Sequence, residues 1–331
     1  METRKVQVTG GSTYTVSIPK SWATSNGVEA GSLIEFHPED DSLLLLPRSA
    51  DERTEGTLDI SDLHGHHLMT AVVTMYVSGF DIITLETTRV GSDQRQAIRN
   101  ATQRLVGLEV IEETSERVVL QDLLDSSELS ITNAITRMRL VAVTMLRDAV
   151  TALVENDGEL SSDVTERDDD VDRLWFMVSR VFRSALRSPT AAADIGLPRE
   201  TCFNYHSSAR QLERIADHAA KIAELSLELE EISPDVSEAL TELHDDAAAV
   251  VEKAMDSLFE EDADRATELA NEAREEVREI DEHSRTLSNL IRDLDPHQAQ
   301  LLGLIVDSIS RSADYGGNVA ETALQQAAPR P

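Results

Sequence analysis

An internal repeat constrains the fold of this chain more than any other feature of its sequence. The segment Leu212–Glu224 (LERIADHAAKIAE) aligns without a gap with Ile309–Glu321 (ISRSADYGGNVAE), with identical residues at five positions and conservative apolar replacements at two more. Each segment lies in the third of three consecutive stretches of helical periodicity, which indicates that a three-helix unit has been duplicated. The duplication predicts a C-terminal region made of tandem helical bundles.

Helix-breaking residues divide this C-terminal region into six predicted helices. From Ser126 onward, aliphatic residues recur at helical spacing, and glycine, proline or an acidic turn interrupts them. The predicted helices cover roughly 128–155, 162–188, 199–230, 235–260, 262–294 and 297–326. The region 126–326 is therefore predicted to form two three-helix bundles, with repeats at about 126–230 and 235–326.

The residues before the bundles have short strands and tight turns instead. Residues 1–48 read as two strand pairs around one short helix, and residues 50–125 mix helices with strands. In the second segment one helix is predicted from Ser61 to Val77, and the α/β alternation indicates a compact unit that can bind a small ligand. The predicted fold class is α+β multidomain: a hairpin β-domain, a small α/β unit and a C-terminal all-α pair of bundles.

The chain is strongly acidic. It contains 62 Asp and Glu residues against 30 Lys and Arg residues, which gives a net charge of −32. Self-repulsion of this size destabilises a compact state in dilute salt, and it is largely screened at ~1 M salt, where the Debye length is ~3 Å. The composition predicts adaptation to molar intracellular salt, as in a halophilic archaeon. Disorder is not expected, because 40% of the residues are hydrophobic and recur at helical spacing.

Three features predict a cytoplasmic protein without membrane insertion. The sequence has no run of about eighteen apolar residues, the length that a spanning helix needs. Its N-terminus, METRKVQVTGG, lacks the apolar core of a signal peptide. Its single cysteine, Cys202, excludes a disulfide framework and a zinc site built from several thiolates.

A motif in the first 48 residues predicts a dimer that binds DNA. The string GGSTYTVSIPKSWATSNGVEAGSLIEFHPEDDSLLLLP resembles the AbrB/MazE/SpoVT family of swapped-hairpin DNA-binding domains. The resemblance implies a homodimer through this domain, and a segment this short can hardly form a core alone. It also implies contacts with operator DNA, mostly with phosphates. The candidate contacts are Arg4, Lys5, Thr13, Tyr14 and Lys20. The alternative is that the hairpins only dimerise the protein.

Carboxylates form rows on the predicted helices. Glu213, Asp217 and Glu224 share one helical stripe with the small residue Ala220, and Asp168 and Asp172 form a second row at four-residue spacing. Two facing rows of carboxylates provide the oxygen ligands that hard or borderline cations prefer. In a chain with 62 acidic residues such spacing also arises by chance, so a solvated acidic face remains the alternative.

The order of these motifs resembles the PhoU family of phosphate-uptake regulators, which consist of two three-helix bundles. ERIADHAAKIAE is similar to the motif of their third and sixth helices, and DDDVD and EEVREID are similar to that of their second and fifth. Some members hold clusters of iron or other metals there. The resemblance implies a first site for Fe, Zn, Mg or Mn ions. Its ligands are Asp168, Asp172, Glu213 and Asp217.

The second copy departs from this pattern. Ser310 stands in the place of Glu213, and Val277 stands in the place of Asp168. The remaining acids are Asp281, Asp314 and Glu321. Metal binding by the second copy is therefore expected to be poor.

The combined motifs predict a DNA-binding regulator of phosphate uptake whose bundle senses phosphate status through a metal or a protein partner. The implied partners are operator DNA, a second copy of the chain, and a phosphate ABC transporter or its signalling proteins. One alternative is an interaction protein that inhibits a transporter or kinase without binding DNA. An antitoxin would leave the bundles unexplained. An enzyme is not expected, because the sequence lacks the Glu-x-x-His pairs of di-metal bundles, GxxxxGK[ST], HExxH and GxSxG.

Overall fold

The computed structural model describes residues 3–39, 42–47, 53–124 and 130–329. Contacts between Cα atoms divide the chain into two units, the first ending at Arg53 and the second beginning at Thr54. Within the described ranges, no helix is both long and apolar enough to cross a membrane.

In its described residues, 3–39 and 42–47, the first unit contains two strand pairs and one short helix. Its elements are β1 (Gln7–Thr9), β2 (Thr13–Thr15), α1 (Lys20–Ser25), β3 (Ile34–Glu39) and β4 (Ser42–Pro47). β1 pairs with β2, and β3 pairs with β4, both antiparallel. Gly10 and Gly11 have positive φ angles in the turn between β1 and β2, a conformation that glycine adopts without steric cost. A turn was predicted at residues 38–41, but Pro38 and Glu39 belong to β3, where they pair with Leu43 and Ser42 of β4. Residues 40 and 41 lie outside the described residues.

The second unit begins with a four-stranded sheet. Its elements are β5 (Glu55–Asp59), α2 (Gly65–Val77), β6 (Ile82–Glu86), α3 (Ser92–Gln103), β7 (Leu108–Glu113) and β8 (Arg117–Asp122). The strand order is β5-β6-β8-β7, with β5 and β6 parallel and the other pairs antiparallel. Alternate strand residues such as Ile83, Leu85 and Leu120 form one hydrophobic cluster with apolar residues of α2 and α3, including Leu68 and Ile98.

Two details of this α/β segment differ from the prediction. α2 begins at Gly65, because the backbone N–H and the hydroxyl of Ser61 both donate to the Asp59 carboxylate and hold that stretch in a turn. β5 was not predicted from the sequence. Its residue Gly56 has no side chain to contribute to an apolar pattern, and a Cβ atom there would lie 2.6 Å from the Met75 side chain.

Within residues 130–329, seven helices complete the second unit. They are α4 (Ile131–Glu155), α5 (Gly158–Arg187), α6 (Pro189–Ile195), α7 (Arg199–Ser226), α8 (Pro234–Phe259), α9 (Ala263–Ile291) and α10 (Pro296–Ala327). The six long helices confirm the predicted bundle pair. The short α6 lies where the sequence indicated only a break. Pro189 is tolerated there because it occupies the first turn, where its missing N–H has no intrahelical partner, and the Ser188 hydroxyl caps the helix.

The two repeats pack into one continuous hydrophobic core. Helices α4, α5 and α7 form the first bundle, α8, α9 and α10 form the second, and α7 also packs on α10. At that interface the His218 and Tyr315 rings lie 5.6 Å apart, and the Asn318 amide donates to Gln211 at 3.1 Å. The site on the first bundle is thus held by a core that both repeats share.

A buried arginine joins the α/β segment to α5. Arg180 is 6% exposed, and its guanidinium pairs with Asp81 at 2.7 Å and with Asp122 at 2.9 Å. The same group donates to the carbonyls of Tyr76 and Phe80. Because every partner comes from the α/β segment, this one side chain fixes the sheet and its helices against the helix that also bears Asp168 and Asp172.

Candidate functional site

The four predicted acids of the first repeat lie close enough to influence one another. Burial, together with the charges of Asp172 and Asp217, raises the pKa of Asp168 to about 6. Burial also raises the pKa of Asp172 and of Asp217, with Asp217 adding to the effect on Asp172. The facing helices α5 and α7 therefore form one desolvated carboxylate cluster, called the first acidic cluster below.

Glu213 is the most deeply buried member of this cluster. It is 7% exposed, and burial followed by the charge of Asp217 raises its pKa to about 7. Its Oε1 atom accepts a hydrogen bond from Arg210 at 2.5 Å. Its Oε2 atom is buried and has no hydrogen-bond partner among the described residues. An acceptor left in this way costs free energy, and a proton or a cation at that atom removes the cost.

Arginines partly compensate the first acidic cluster. The Arg104 guanidinium, at the C-terminal end of α3, lowers the pKa of both Asp168 and Asp172. On α7, Arg210 and Arg214 lower the pKa of Asp217. Arg104 could not be identified from the sequence, because its contribution depends on the docking of the α/β segment on α5.

The chemistry of the first acidic cluster suits a hard cation, whereas its side-chain arrangement is not that of a formed metal site. Carboxylate oxygens are the ligands that Mg²⁺, Mn²⁺ and similar ions prefer, and Glu213 has an unpartnered buried oxygen. Across the described ranges, no three or more His, Cys, Asp or Glu side chains are grouped so that they could hold one ion. Side-chain rotation is needed to bring these oxygens onto an ion, and metal binding stays a prediction.

The second repeat brings together fewer acids. Burial raises the pKa of Asp314, and the charge of Asp281 contributes to the increase. Glu321 lies 3.6 Å from Arg274, in an exposed pair. The Ser310 hydroxyl donates to the Val306 carbonyl of its own helix at 2.9 Å. Asp281, Asp314 and Glu321 are called the second acidic cluster below. Ser310, at the position that corresponds to Glu213, contributes no charge to it.

The five predicted DNA contacts are all exposed on the first unit. Arg4 and Lys5 precede β1, Thr13 and Tyr14 lie on β2, and Lys20 begins α1. Tyr14 is 77% exposed and is paired across the strands with Val8, which is 65% exposed. The hairpin thus presents basic, hydroxyl and apolar side chains on the surface of a single copy.

The described part of the first unit has no core of its own. No residue from 3 to 38 or from 42 to 47 is buried. Large apolar side chains are left uncovered instead, among them Val6, Leu33 and Phe36. Isolated two-stranded hairpins of this kind are at best marginally stable in water, so these apolar side chains need a partner surface.

The fold and its acidic motifs define a class of tandem three-helix-bundle proteins, and comparison with known proteins identifies the family. The model of the PhoU domain matches residues 135–226 and 240–323, one match for each bundle and together more than half of the chain. The chain belongs to the PhoU family. A separate model, MazE, the bacterial antitoxin of antidote–toxin recognition, matches residues 7–53.

Individual relatives agree with this assignment. The chain is 29% identical over 193 residues to a phosphate-specific transport system accessory protein PhoU homolog of Pseudomonas putida, covering 54% of this chain and 70% of that protein. The homolog of the same description in Pseudomonas aeruginosa is 28% identical and is covered to 74%. The crystal structure of PhoU from Pseudomonas aeruginosa superposes with a TM-score of 0.51 at 24% identity, over 59% of this chain and 93% of that one. At that identity the superposition establishes the fold alone.

Proposed function

We propose that this protein is a dimeric, DNA-binding regulator of phosphate uptake in which the PhoU bundles respond to phosphate status. The observation behind the proposal is that one chain combines two PhoU repeats with a MazE-like unit. Relatives of the bundle region are named as accessory proteins of phosphate-specific transport. An attached hairpin unit with basic side chains can bind DNA, so that the bundle can affect gene expression.

Dimerisation through the first unit follows from its missing core. Two copies that exchange hairpins bury the apolar side chains that one copy exposes, such as Val8, Phe36 and Leu43. Burial of apolar surface contributes about 25 cal/mol per Å², so covering these residues stabilises the unit. Two hairpin units in one dimer also match a roughly palindromic operator.

DNA binding uses the local charge of the first unit rather than the charge of the whole chain. Two of the four lysines of the protein, Lys5 and Lys20, lie here with Arg4. These groups contact phosphates, while Thr13 and Tyr14 donate hydrogen bonds from hydroxyl groups. The remaining chain is strongly acidic and repels DNA at low salt, so binding is expected to depend on these few side chains.

The sensing step is assigned to the first acidic cluster. A divalent or ferric ion bound there would be held by Asp168, Asp172, Glu213 and Asp217, and it would supply the positive charge that the buried Glu213 oxygen lacks. A protein of the phosphate ABC transporter or of its signalling pathway is the alternative input to the same bundle.

The proposal is tested by DNA-binding measurements on the full chain. A Lys5→Ala/Lys20→Ala double variant is expected to lose about tenfold or more in affinity for phosphate-uptake promoter fragments, with a weaker salt dependence, because fewer phosphates are neutralised. Lys221→Ala, the same change on α7, is the matched control and is expected to bind normally. Equal binding by both variants would contradict the assigned DNA surface.

Chromosome-wide crosslinking in phosphate-rich and phosphate-starved cells tests the sensing half. Occupancy of phosphate-uptake promoters that changes with phosphate supports a DNA-binding sensor. Occupancy that ignores phosphate overturns the sensing role and leaves the DNA-binding role.

The net charge of −32 favours one alternative, an interaction protein without DNA function. In that case the hairpins only dimerise the chain, and the bundles act on a transporter or kinase. Phosphate regulation would then persist in the Lys5→Ala/Lys20→Ala variant, and no specific promoter occupancy would be found.

A further inference from the structure

We propose a ligand site that is separate from the first acidic cluster: a cleft between α3 and α5 that takes a small oxyanion together with a divalent counter-ion, with phosphate as the oxyanion. The cleft has a volume of about 400 Å³ and lies between the α/β segment and the first bundle. The choice of phosphate rests on the proposed function, while the charge pattern of the ligand rests on the cleft alone.

The α3 side of the cleft is a wall of nitrogen donors. Asn100, Gln103 and Arg104 follow one another at the spacing of a single helix face. The Asn100 Oδ1 atom already accepts a hydrogen bond from Gln96 at 2.8 Å, which leaves its amide N–H groups as the part available to a ligand. An arginine beside two amides is a set that binds oxyanion oxygens.

The α5 side has the opposite character. Asp169 and Asp170 line it and are exposed, and Arg173 lies one turn further along the helix. An ion pair between Arg104 and Asp169 joins the two sides. The two aspartates repel a bare anion, whereas an anion with its own divalent cation satisfies both walls, because the anion meets the amides and arginines and the cation meets the carboxylates.

Ligand binding here also affects the first acidic cluster. Arg104 pairs with Asp169 and also acts electrostatically on Asp168 and Asp172. An oxyanion that engages Arg104 neutralises part of the charge that compensates those carboxylates. Cation binding at the first acidic cluster is then favoured, so the two sites are positively coupled.

Equilibrium dialysis of radiolabelled inorganic phosphate against the full chain, with and without Mg²⁺ at constant ionic strength, tests the proposal. Phosphate is expected to bind when Mg²⁺ is present and to bind at least about tenfold more weakly when Mg²⁺ is absent. Asn100→Asp and Gln103→Glu place a negative charge on the donor wall and are each expected to weaken phosphate binding about tenfold. Gln300→Glu, the same chemical change on the exposed surface of α10, is the control and is expected to leave the affinity unchanged.

Three outcomes overturn the proposal. Phosphate affinity that is equal in Asn100→Asp, Gln103→Glu and the unmodified chain places any phosphate site elsewhere. Binding that is unaffected by Mg²⁺ removes the counter-ion. No phosphate binding at all excludes the site, while phosphate-dependent promoter occupancy in the same strain would still support the proposed function through a partner protein. Circular dichroism of each variant verifies that these surface changes leave the fold intact.

Sulfate competition separates phosphate from oxyanions in general. Displacement of phosphate only by a large excess of sulfate supports phosphate as the ligand. Equal competition by sulfate contradicts that assignment.

Discussion

The two repeats share a fold and differ in their charge. Positions that face the core are conserved in kind: Leu212 corresponds to Ile309, Ala216 to Ala313, and all four are buried. The acidic positions are conserved only in part: Asp217 corresponds to Asp314 and Glu224 to Glu321, whereas the buried Glu213 has an uncharged counterpart in Ser310. At this position the first repeat therefore has a desolvated carboxylate, and the second has a hydroxyl group.

The repeats also differ in whether another segment docks on them. The α/β segment docks on α5 through Arg180, which is buried against Asp81 and Asp122. With Asp281 taken as the counterpart of Asp172, the position on α9 that corresponds to Arg180 is Asn289, which is exposed. The helix that bears half of the first acidic cluster is thus also the helix that fixes the α/β segment.

The substitution with the largest expected effect tests this difference in docking. Arg180→Ala should lower the free energy of unfolding by about 3–5 kcal/mol, because it leaves the buried Asp122 carboxylate without its cation. Asn289→Ala, at the corresponding position of the second repeat, should change it by less than about 0.5 kcal/mol. Urea denaturation of both variants measures the two values. Similar losses of unfolding free energy in the two variants would mean that the two positions contribute equally to stability.

A smaller effect tests the difference in charge. The raised pKa of Glu213, about 7 against an ordinary 4.5, means that the folded state holds its proton more tightly than the unfolded state. This contribution to stability is complete below pH 4.5 and is lost as pH rises through about 7. At pH 8 without divalent cations, Glu213→Gln should raise the free energy of unfolding by about 2 kcal/mol.

The control is the same chemical change at an acid of the second repeat, Glu321→Gln, which should have little effect because Glu321 is exposed. Added Mn²⁺ should stabilise the unmodified chain more than it stabilises the Glu213→Gln variant. Destabilisation of the Gln variant at pH 8 would show that the Arg210 pair outweighs the cost of the buried charge.

The substitution with the smallest expected effect is Ser310→Glu. It gives the second repeat the acid that the first has, next to Asp314 and Asp281. Without cations it should destabilise the chain by about 1 kcal/mol, since it adds a half-buried like charge. Thermal unfolding with and without Mn²⁺ measures this cost and its relief. A Ser310→Gln control separates charge from size, and equal effects of Glu and Gln would contradict the electrostatic reason.

The sequence was sufficient for the elements that local patterns define. The long helices follow from apolar periodicity and from Pro234 and Pro296, which both occupy first turns. Other features depend on contacts between distant parts of the chain. β5 is stabilised by pairing with β6, which its own short pattern around Gly56 does not reveal, and the partners of Arg180 come from a different part of the chain.

The candidate site was predictable to the same extent. Motif resemblance indicated Asp168, Asp172, Glu213 and Asp217, whose charges influence one another in the fold. Their role as metal ligands stays a prediction. The motif resemblance did not indicate how deeply Glu213 is buried or how closely Arg104 approaches, since both depend on packing between segments.

The contact between His218 and Tyr315 has a consequence for symmetry. The two residues are counterparts in the aligned repeats, and their rings face each other across α7 and α10. A residue that contacts its own counterpart lies where the two halves meet. In a homodimer both positions of such a contact are specified by one codon, so the residue there has to tolerate a copy of itself. A fused pair has no such restriction, and one gene can encode a histidine on one side of the contact, a tyrosine on the other, and two acidic clusters that are free to diverge.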